Sequence, residues 1–326
     1  MNATLADPAQ LALPARKSGA GADRAFGLIT SGAAWLVLVL LGAIAISMAW
    51  GGRLAFETFG WHFVTGKDWD VVGGKFGAFV PIYGTLVTSA IALIIAVPVS
   101  IGIALFLTDI APRWTRGPIA IAIELLAAIP SIIYGMWGLF IFAPFMAAHV
   151  EPWLSDHLGD KAVIGPLFNG PPIGIGMLTA GIVLGIMVIP FISSVAREVF
   201  SAVPAPLKES AVALGSTRWE ILSRVTLPYT RSAVIGAIFL GLGRALGETM
   251  AVTFVLGNSH DLSASLLMPS NSIAAAIANE FTEADTDLYR SSLIALGFLL
   301  FVVTFIVLTI AKLMLLRLNR QLGRTH

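Results

Sequence analysis

The chain alternates between long apolar stretches and short polar connections. Six of the apolar stretches are long enough for a bilayer, whose hydrocarbon core of about 30 Å requires about 20 mostly apolar helical residues. They cover approximately residues 25–52, 77–108, 117–148, 173–196, 232–256 and 291–316. Their apolar residues are continuous rather than alternating, which favours helices over transmembrane β-strands. The pattern therefore predicts an all-α, polytopic membrane protein with six transmembrane helices.

Composition narrows the class further. Of the 326 residues, 57% are hydrophobic and 12% are charged, the net charge is +1, and the mean hydropathy is +0.86. Soluble domains carry about 25% charged residues, so this chain is not an ordinary soluble protein or a nucleic-acid binder. It has no cysteine, which excludes disulfides and thiolate metal sites. Neither a catalytic constellation nor a metal-ligand pattern stands out, so no enzyme activity is predicted.

The first apolar stretch is predicted to be a retained helix. Its 28 uncharged residues, 25–52, far exceed the 7–15-residue apolar region of a cleaved signal peptide. The Ala-, Gly- and Pro-rich segment 1–24 before it is predicted to be a disordered cytoplasmic tail. Residues 25–326 are predicted to form one transmembrane domain, with a core at about 77–316.

The distribution of basic residues predicts the orientation. With both termini placed in the cytoplasm, fourteen of the twenty Lys and Arg residues fall on the cytoplasmic side and five on the opposite side. Such an asymmetry follows the positive-inside rule. The loops at about 51–76, 149–172 and 257–290 then lie outside. The last of these loops is predicted to include a short helix, 272–281, because apolar residues recur there at every fourth position.

The polar segment 197–231, between the fourth and fifth apolar stretches, has its own helical pattern. Pro206 is suited to a first helical turn, and Gly215 is suited to the residue after a helix. Thr217 and Glu220 match a capping box that opens a second short helix, and Pro228 is predicted to end that helix. The segment is therefore predicted to form two short helices joined at a glycine, as a compact cytoplasmic knob.

Residues of this knob resemble the EAA–G–I-LP loop of ABC importer permeases, with Ser210 in place of one alanine and Val225 in place of isoleucine. In that family the loop is a coupling helix that docks on the ATP-hydrolysing subunit. The resemblance assigns ATPase coupling to Glu209, Ser210, Ala211, Leu214, Gly215 and Pro228. The pattern GxxxxGK[ST] is missing from the sequence, so ATP and Mg²⁺ are expected on a partner ATPase, with no cofactor in this chain.

Two charged residues, Arg244 and Glu248, interrupt the fifth apolar stretch. A buried arginine costs about 2.5–3.5 kcal/mol on membrane-insertion scales, so it is expected to face protein or a water-filled cavity. At a spacing of four, the two side chains of one continuous helix would share a face and could pair. Two interpretations stay open: the pair is a structural clamp, or it lines the route of an anion.

Segments 243–252 (GRALGETMAV), 129–138 (IPSIIYGMWG) and 277–281 (IANEF) resemble the phosphate branch of the ABC importer permeases. The resemblance implies the MetI-like fold of type I importers in the bacterial inner membrane. It also implies a PstA-like second permease, PstB-like ATPase subunits and a periplasmic phosphate-binding protein as partners, and it places Arg244 and Glu248 on the phosphate pathway. The alternatives are another oxyanion such as molybdate or sulfate, an ATP-independent channel or secondary transporter, and a membrane scaffold.

Overall fold

The computed structural model describes residues 20–322 of the chain, which divide into two units between Ser47 and Met48. The described part of the first unit is one apolar helix, which belongs to α1 (Ala20–Gly51). This helix begins within segment 1–24, so the predicted tail is too long at its end. The rest of that predicted tail, residues 1–19, lies outside the described residues.

The second unit is helical apart from one small hairpin and its loops. Its two strands are antiparallel, with Trp69 opposite Phe76. Within residues 48–322, four π-helical turns interrupt the helices, at Phe106–Ile110, Gly138–Phe142, Met146–Val150 and Leu222–Thr226. The elements in chain order are α2 (Arg53–Phe59), α3 (His62–Thr65), β1 (Trp69–Asp70), β2 (Lys75–Phe76), α4 (Phe79–Leu105), α5 (Arg113–Ala127), α6 (Ser131–Trp137), α7 (Ala143–Phe145), α8 (Glu151–Leu158), α9 (Met177–Ser201), α10 (Ala205–Ala213), α11 (Arg218–Ile221), α12 (Leu227–Leu246), α13 (Met250–Leu256), α14 (Ile273–Glu280) and α15 (Asp287–Leu322).

Six helical segments of the described chain are long and apolar enough to cross a membrane, which confirms the predicted number. Four of them lie close to the predicted positions, and the third and fifth differ in their bounds. The segments are Asp23–Gly51, Phe79–Ile110, Ser131–Leu158, Met177–Ser201, Arg218–Leu246 and Asp287–Arg317.

The predicted third helix, 117–148, is wrong in its bounds because it joins two separate helices. Helix α5 ends at Ala127, and Pro130 then adopts an extended conformation with ψ of 137° before α6 begins. A proline provides no N–H for a helix and disfavours helical backbone in the residue before it. The third spanning segment therefore starts at Ser131 and continues through two π-helical turns to Leu158.

The centre of the second unit is the packing of α4 along α9. Small residues allow the two backbones to approach closely, as is common between membrane helices. A Cβ added at Gly181 would lie 2.6 Å from the side chain of Ile91, and one at Gly185 would lie 3.2 Å from the backbone of Ala92. Helices α6, α12 and α13 complete this core around buried residues such as Leu184 and Val255.

A second core cluster joins α2, α3, the hairpin, α14 and α15 through buried Phe63, Ile273 and Leu293. Helix α14 confirms the short helix predicted at 272–281. Ser272 is its N-cap, and the hydroxyl oxygen of Ser272 accepts a hydrogen bond from the N–H of Ala275 at 3.2 Å. The side of the membrane that each loop and each terminus occupies stays a prediction.

Candidate functional site

The knob predicted at 197–231 begins later and ends earlier than expected, because α9 extends to Ser201 and α12 begins at Leu227. Within it, α10 ends in a Schellman motif around Gly215, whose φ is +84°. The Gly215 N–H donates to the Val212 carbonyl at 2.9 Å, and the Ser216 N–H donates to the Ala211 carbonyl at 3.0 Å. The predicted turn at Gly215 is therefore confirmed, and it requires a left-handed backbone that favours glycine.

The capping box at the start of α11 is also confirmed. The N–H of Glu220 donates to the Thr217 hydroxyl at 3.3 Å, and the Thr217 N–H donates to the Glu220 carboxylate at 2.9 Å. The predicted end at Pro228 is wrong. The helix continues from α11 through the π-helical turn Leu222–Thr226 into α12, where Pro228 occupies the first turn. A widened turn accommodates a proline, since the missing N–H and the ring disrupt a regular α-helical ladder.

Most of the residues assigned to coupling lie on the surface of the knob. Glu209, Ser210, Leu214 and Gly215 are exposed, whereas Ala211 faces the protein interior. Leu214 is 87% exposed, and Trp219, which the sequence analysis did not assign, is 72% exposed. Large exposed apolar residues of this kind mark interaction surfaces when they lie together, and these two flank the same turn.

An ion pair that the sequence did not reveal connects α10 to the end of α4. The Lys208 Nζ lies 2.6 Å from Oδ1 of Asp109, which is part of the π-helical turn Phe106–Ile110. Both side chains are about one-quarter exposed. A second ion pair, Arg197 to Glu124 at 2.6 Å, connects α9 to α5. The Lys208–Asp109 pair therefore links the knob to the end of α4, a helix of the central core.

Arg244 lies in the last turn of α12, where that helix packs closely on α9. The close approach depends on Gly241, because a Cβ there would lie 2.6 Å from the side chain of Ile192. This contact brings the Arg244 guanidinium over the ring of the adjacent Phe191, with 5.4 Å between its central carbon and the ring centroid. The Nε atom of Arg244 is buried without a hydrogen-bond partner among the described residues. Phe191 is a site residue that sequence reasoning missed.

The expected pairing of Arg244 with Glu248 is wrong for this structure. Helix α12 ends at Leu246, and the three residues 247–249 form a break before α13 begins at Met250. Because of this break, the two side chains do not share a helix face, and Arg244 has no ion pair within 4 Å in the described residues 20–322. Glu248 instead accepts a hydrogen bond from the Ala251 N–H at 3.3 Å, at the start of α13.

A half-buried cation without a carboxylate partner, at the end of the fifth spanning segment and beside the break 247–249, can attract an anion. Non-helical backbone at membrane depth is tolerated where protein buries it or where it lines a water-filled cavity. Tyr134 of α6 does not offer its hydroxyl proton to an anion, because the hydroxyl donates to the Leu126 carbonyl at 2.9 Å. This hydrogen bond joins α6 to α5.

A separate polar cluster ties the hairpin, the loop before α14 and α15 together around Glu280. The carboxylate accepts hydrogen bonds from the Trp69 indole at 2.8 Å and the Tyr289 hydroxyl at 2.7 Å, and the His260 ring nitrogen lies 2.7 Å away. Burial alone would raise the pKa of Glu280, but its hydrogen bonds with His260, Tyr289 and Trp69 outweigh burial and hold that pKa below 4.5. In the described part of the chain, no group of three or more His, Asp or Glu residues is placed to hold a metal ion.

Comparison with known proteins defines the class. Residues 96–320 match the family model of the binding-protein-dependent transport system inner membrane component. This match covers more than half of the chain, and the six spanning segments agree with it. The chain therefore belongs to that family of membrane permeases, the ABC importer permeases, in which a separate subunit supplies the ATPase.

Within this class, two curated proteins that resemble the chain over nearly their whole length are phosphate transport permeases. The chain is 62% identical to the "Phosphate transport system permease protein PstC" of Xylella fastidiosa strain Temecula1, over 93% of this chain and 94% of that protein. It is 53% identical to the PstC protein of Mesorhizobium japonicum, over 96% of this chain and 98% of that protein. The expected resemblance to the phosphate branch is thus confirmed.

The solved structures support the fold. A bacterial alginate ABC transporter, in complex with a periplasmic protein bound to an alginate pentasaccharide, contains a chain with a TM-score of 0.56. That chain is 20% identical to this one, and the match covers 89% of this chain and 97% of that chain. At this identity the likeness concerns the fold alone, and it confirms the ABC importer permease architecture predicted from the coupling loop.

Proposed function

We propose that this chain is the permease subunit through which an ATP-driven importer carries inorganic phosphate across a bacterial inner membrane. The observation that carries the proposal is the 62% identity to a phosphate transport permease over nearly the whole of both chains. Membership of the importer family argues against the ATP-independent channel and the membrane scaffold that the sequence left open.

We propose that Arg244 provides the positive charge on the phosphate route. Its side chain lacks an ionic partner in the described residues, and it lies beside the break 247–249. Glu248 has a different part in the same route, since its carboxylate supports the first turn of α13 through the Ala251 N–H. A single guanidinium attracts an oxyanion with its planar N–H groups and still allows its release, as conduction requires.

The knob around Gly215 is proposed to dock on the ATPase subunit, which would bind ATP and Mg²⁺. Exposed Glu209, Ser210 and Leu214 would contact the ATPase, and buried Ala211 would keep α10 close to the membrane helices. The Lys208–Asp109 ion pair then transmits movement of α10 to α4. The further partners in this proposal are a PstA-like permease, PstB-like ATPase subunits and a periplasmic phosphate-binding protein.

The test is uptake by vesicles that contain the complete transporter, supplied with ATP and the binding protein. Accumulation of phosphate, with molybdate and sulfate at the same concentration left outside, is the expected result. Preferential accumulation of molybdate or sulfate would contradict phosphate and support the other oxyanion. Phosphate uptake that continues unchanged without ATP would contradict the importer mechanism.

A further inference from the structure

Arg244 has an aromatic ring as its neighbour where an ionic partner would be expected. The Phe191 ring lies over the guanidinium at 5.4 Å, and a poorly solvated cation is attracted by the electron-rich face of such a ring. The Arg244 Nε is enclosed without a hydrogen bond, and no carboxylate of residues 20–322 lies within 4 Å of the side chain. Phe191 is therefore the group in the described chain that compensates this charge at close range.

The backbone that carries Phe191 is held firmly. The residue follows Pro190, inside α9, where a proline removes one helical hydrogen bond. Serine hydroxyls bond to the carbonyls around this position: Ser193 donates to Pro190 at 3.1 Å, Ser194 to Phe191 at 2.9 Å, and Ser100 of α4 to Ile189 at 3.1 Å. The ring also packs against the main core cluster and has the Gly241–Ile192 contact next to it. The packing of the ring against the core cluster fixes its position beside the Arg244 side chain.

A ring and a carboxylate would affect anion binding at Arg244 in opposite ways. A carboxylate binds the in-plane N–H groups of a guanidinium, which are the same groups that grip an oxyanion. An aromatic ring stacks on the face of the guanidinium and leaves those in-plane groups free. A ring can therefore stabilise the charge of Arg244 in the membrane without competing with the transported anion.

We propose that Phe191 is a positioning residue for anion transport, which holds the Arg244 guanidinium by its face so that its edge remains available to the oxyanion. This inference rests on the proposed role of Arg244 in phosphate transport. Phe191 has no contact of its own with the anion in this mechanism, and it acts only through the orientation of Arg244.

The test measures phosphate delivered per ATP hydrolysed by the complete transporter in vesicles. Phe191→Leu keeps an apolar side chain but removes the ring, and we expect the delivered phosphate per ATP to fall about tenfold, in the range of a desolvated cation–ring interaction. ATP hydrolysis stimulated by the binding protein should continue, because the knob is untouched. Phe191→Tyr and Phe191→Trp retain a ring face and should restore delivery to within about twofold of the parental value.

Phe254→Leu is the matched control, because Phe254 packs against the same core cluster and no cation lies over its ring among the described residues. Its delivery per ATP should equal that of the parental protein. A parental ratio for Phe191→Leu would overturn the proposal, and so would an equal loss in Phe191→Leu and Phe254→Leu, which would mean that the ring acts through packing alone. If Phe191→Leu does not assemble, Phe191→Met applies the same test.

Arg244→Gln, measured in the same vesicles, separates this inference from the function on which it rests. If Arg244→Gln stops uptake while Phe191→Leu delivers phosphate normally, the positioning role of Phe191 is wrong and the anion route at Arg244 stands. If Arg244→Gln also delivers phosphate normally, the proposed route itself is wrong.

Discussion

Arg244 and Glu248 are four residues apart in the sequence, yet they belong to different backbone elements and do not pair. Arg244 lies in the last turn of α12, and Glu248 lies in the break that precedes α13. The carboxylate accepts a hydrogen bond from the Ala251 N–H, and the central carbon of the guanidinium lies 5.4 Å from the centroid of the Phe191 ring. The carboxylate and the guanidinium each have a separate neighbour. Glu248 therefore does not compete with a transported anion for the N–H groups of Arg244.

Glu248 should therefore tolerate loss of charge better than loss of its acceptor atom. Glu248→Gln retains an oxygen that can accept from the Ala251 N–H, whereas Glu248→Ala removes this hydrogen bond to the first turn of α13 and should cost about 1 kcal/mol. We expect Glu248→Ala to lower the unfolding temperature of the purified complex, and Glu248→Gln to leave it nearly unchanged. Equal destabilisation by both substitutions would mean that the charge of Glu248, and not its hydrogen bond with the Ala251 N–H, stabilises the fold.

Gly215 should be intolerant of side chains because of its backbone conformation. A residue with a Cβ is destabilised by about 1–2 kcal/mol at a φ of +84° relative to glycine, and a β-branched residue is especially unfavourable there. We expect Gly215→Val to assemble with its partners but to reduce ATP-driven uptake severalfold.

Gly236→Ala serves as the control for Gly215, since a Cβ at 236 also meets no atom within 4 Å but sits in the regular helix α12. This control should transport like the parental protein. Parental uptake by the Gly215→Val complex would show that the turn has no part in coupling.

The Lys208–Asp109 pair should act in coupling more than in stability. Partly exposed ion pairs contribute about 0–1 kcal/mol, so neither Lys208→Asp nor Asp109→Lys alone should prevent assembly. Each single reversal places like charges together and should reduce phosphate delivered per ATP. The double exchange, Lys208→Asp with Asp109→Lys, should recover most of that loss. If the double exchange loses as much phosphate delivery per ATP as the two single variants added together, the pair does not connect α10 to α4.

Local signals predicted some of these features and could not predict others. The turn at Gly215 and the capping box at Thr217 depend on residues within a few positions, so the sequence predicts both correctly. Helical spacing predicts that Arg244 and Glu248 can pair. This prediction fails because the helix ends before Gly247. Phe191 had no detectable signal, because one more aromatic residue in an apolar span is indistinguishable from core. Its role depends on the α9–α12 contact at Gly241, which is tertiary.

The Glu280 cluster predicts an acid-dependent loss of stability. The folded-state pKa of this carboxyl lies below its ordinary value of 4.5, so the ionised form stabilises the fold at neutral pH. That contribution is present above pH 4.5 and is lost as the pH falls through the lower, folded-state pKa. We expect the unfolding temperature of the purified complex to fall more steeply below pH 4.5 for the parental protein than for Glu280→Gln. Identical pH profiles would contradict a stabilising role for the ionised carboxylate.

Phosphate uptake by an Arg244→Gln complex determines whether this cation lies on the phosphate route. The substitution replaces the guanidinium with a shorter, neutral amide, and Arg244→Lys serves as the matched variant that keeps the charge but lacks the planar N–H groups. With assembly and basal ATP hydrolysis verified for each complex, we predict that Arg244→Gln loses nearly all uptake and that Arg244→Lys retains part of it. Uptake at the parental rate by a fully assembled Arg244→Gln complex would contradict the account, because phosphate would then cross the membrane without this cation.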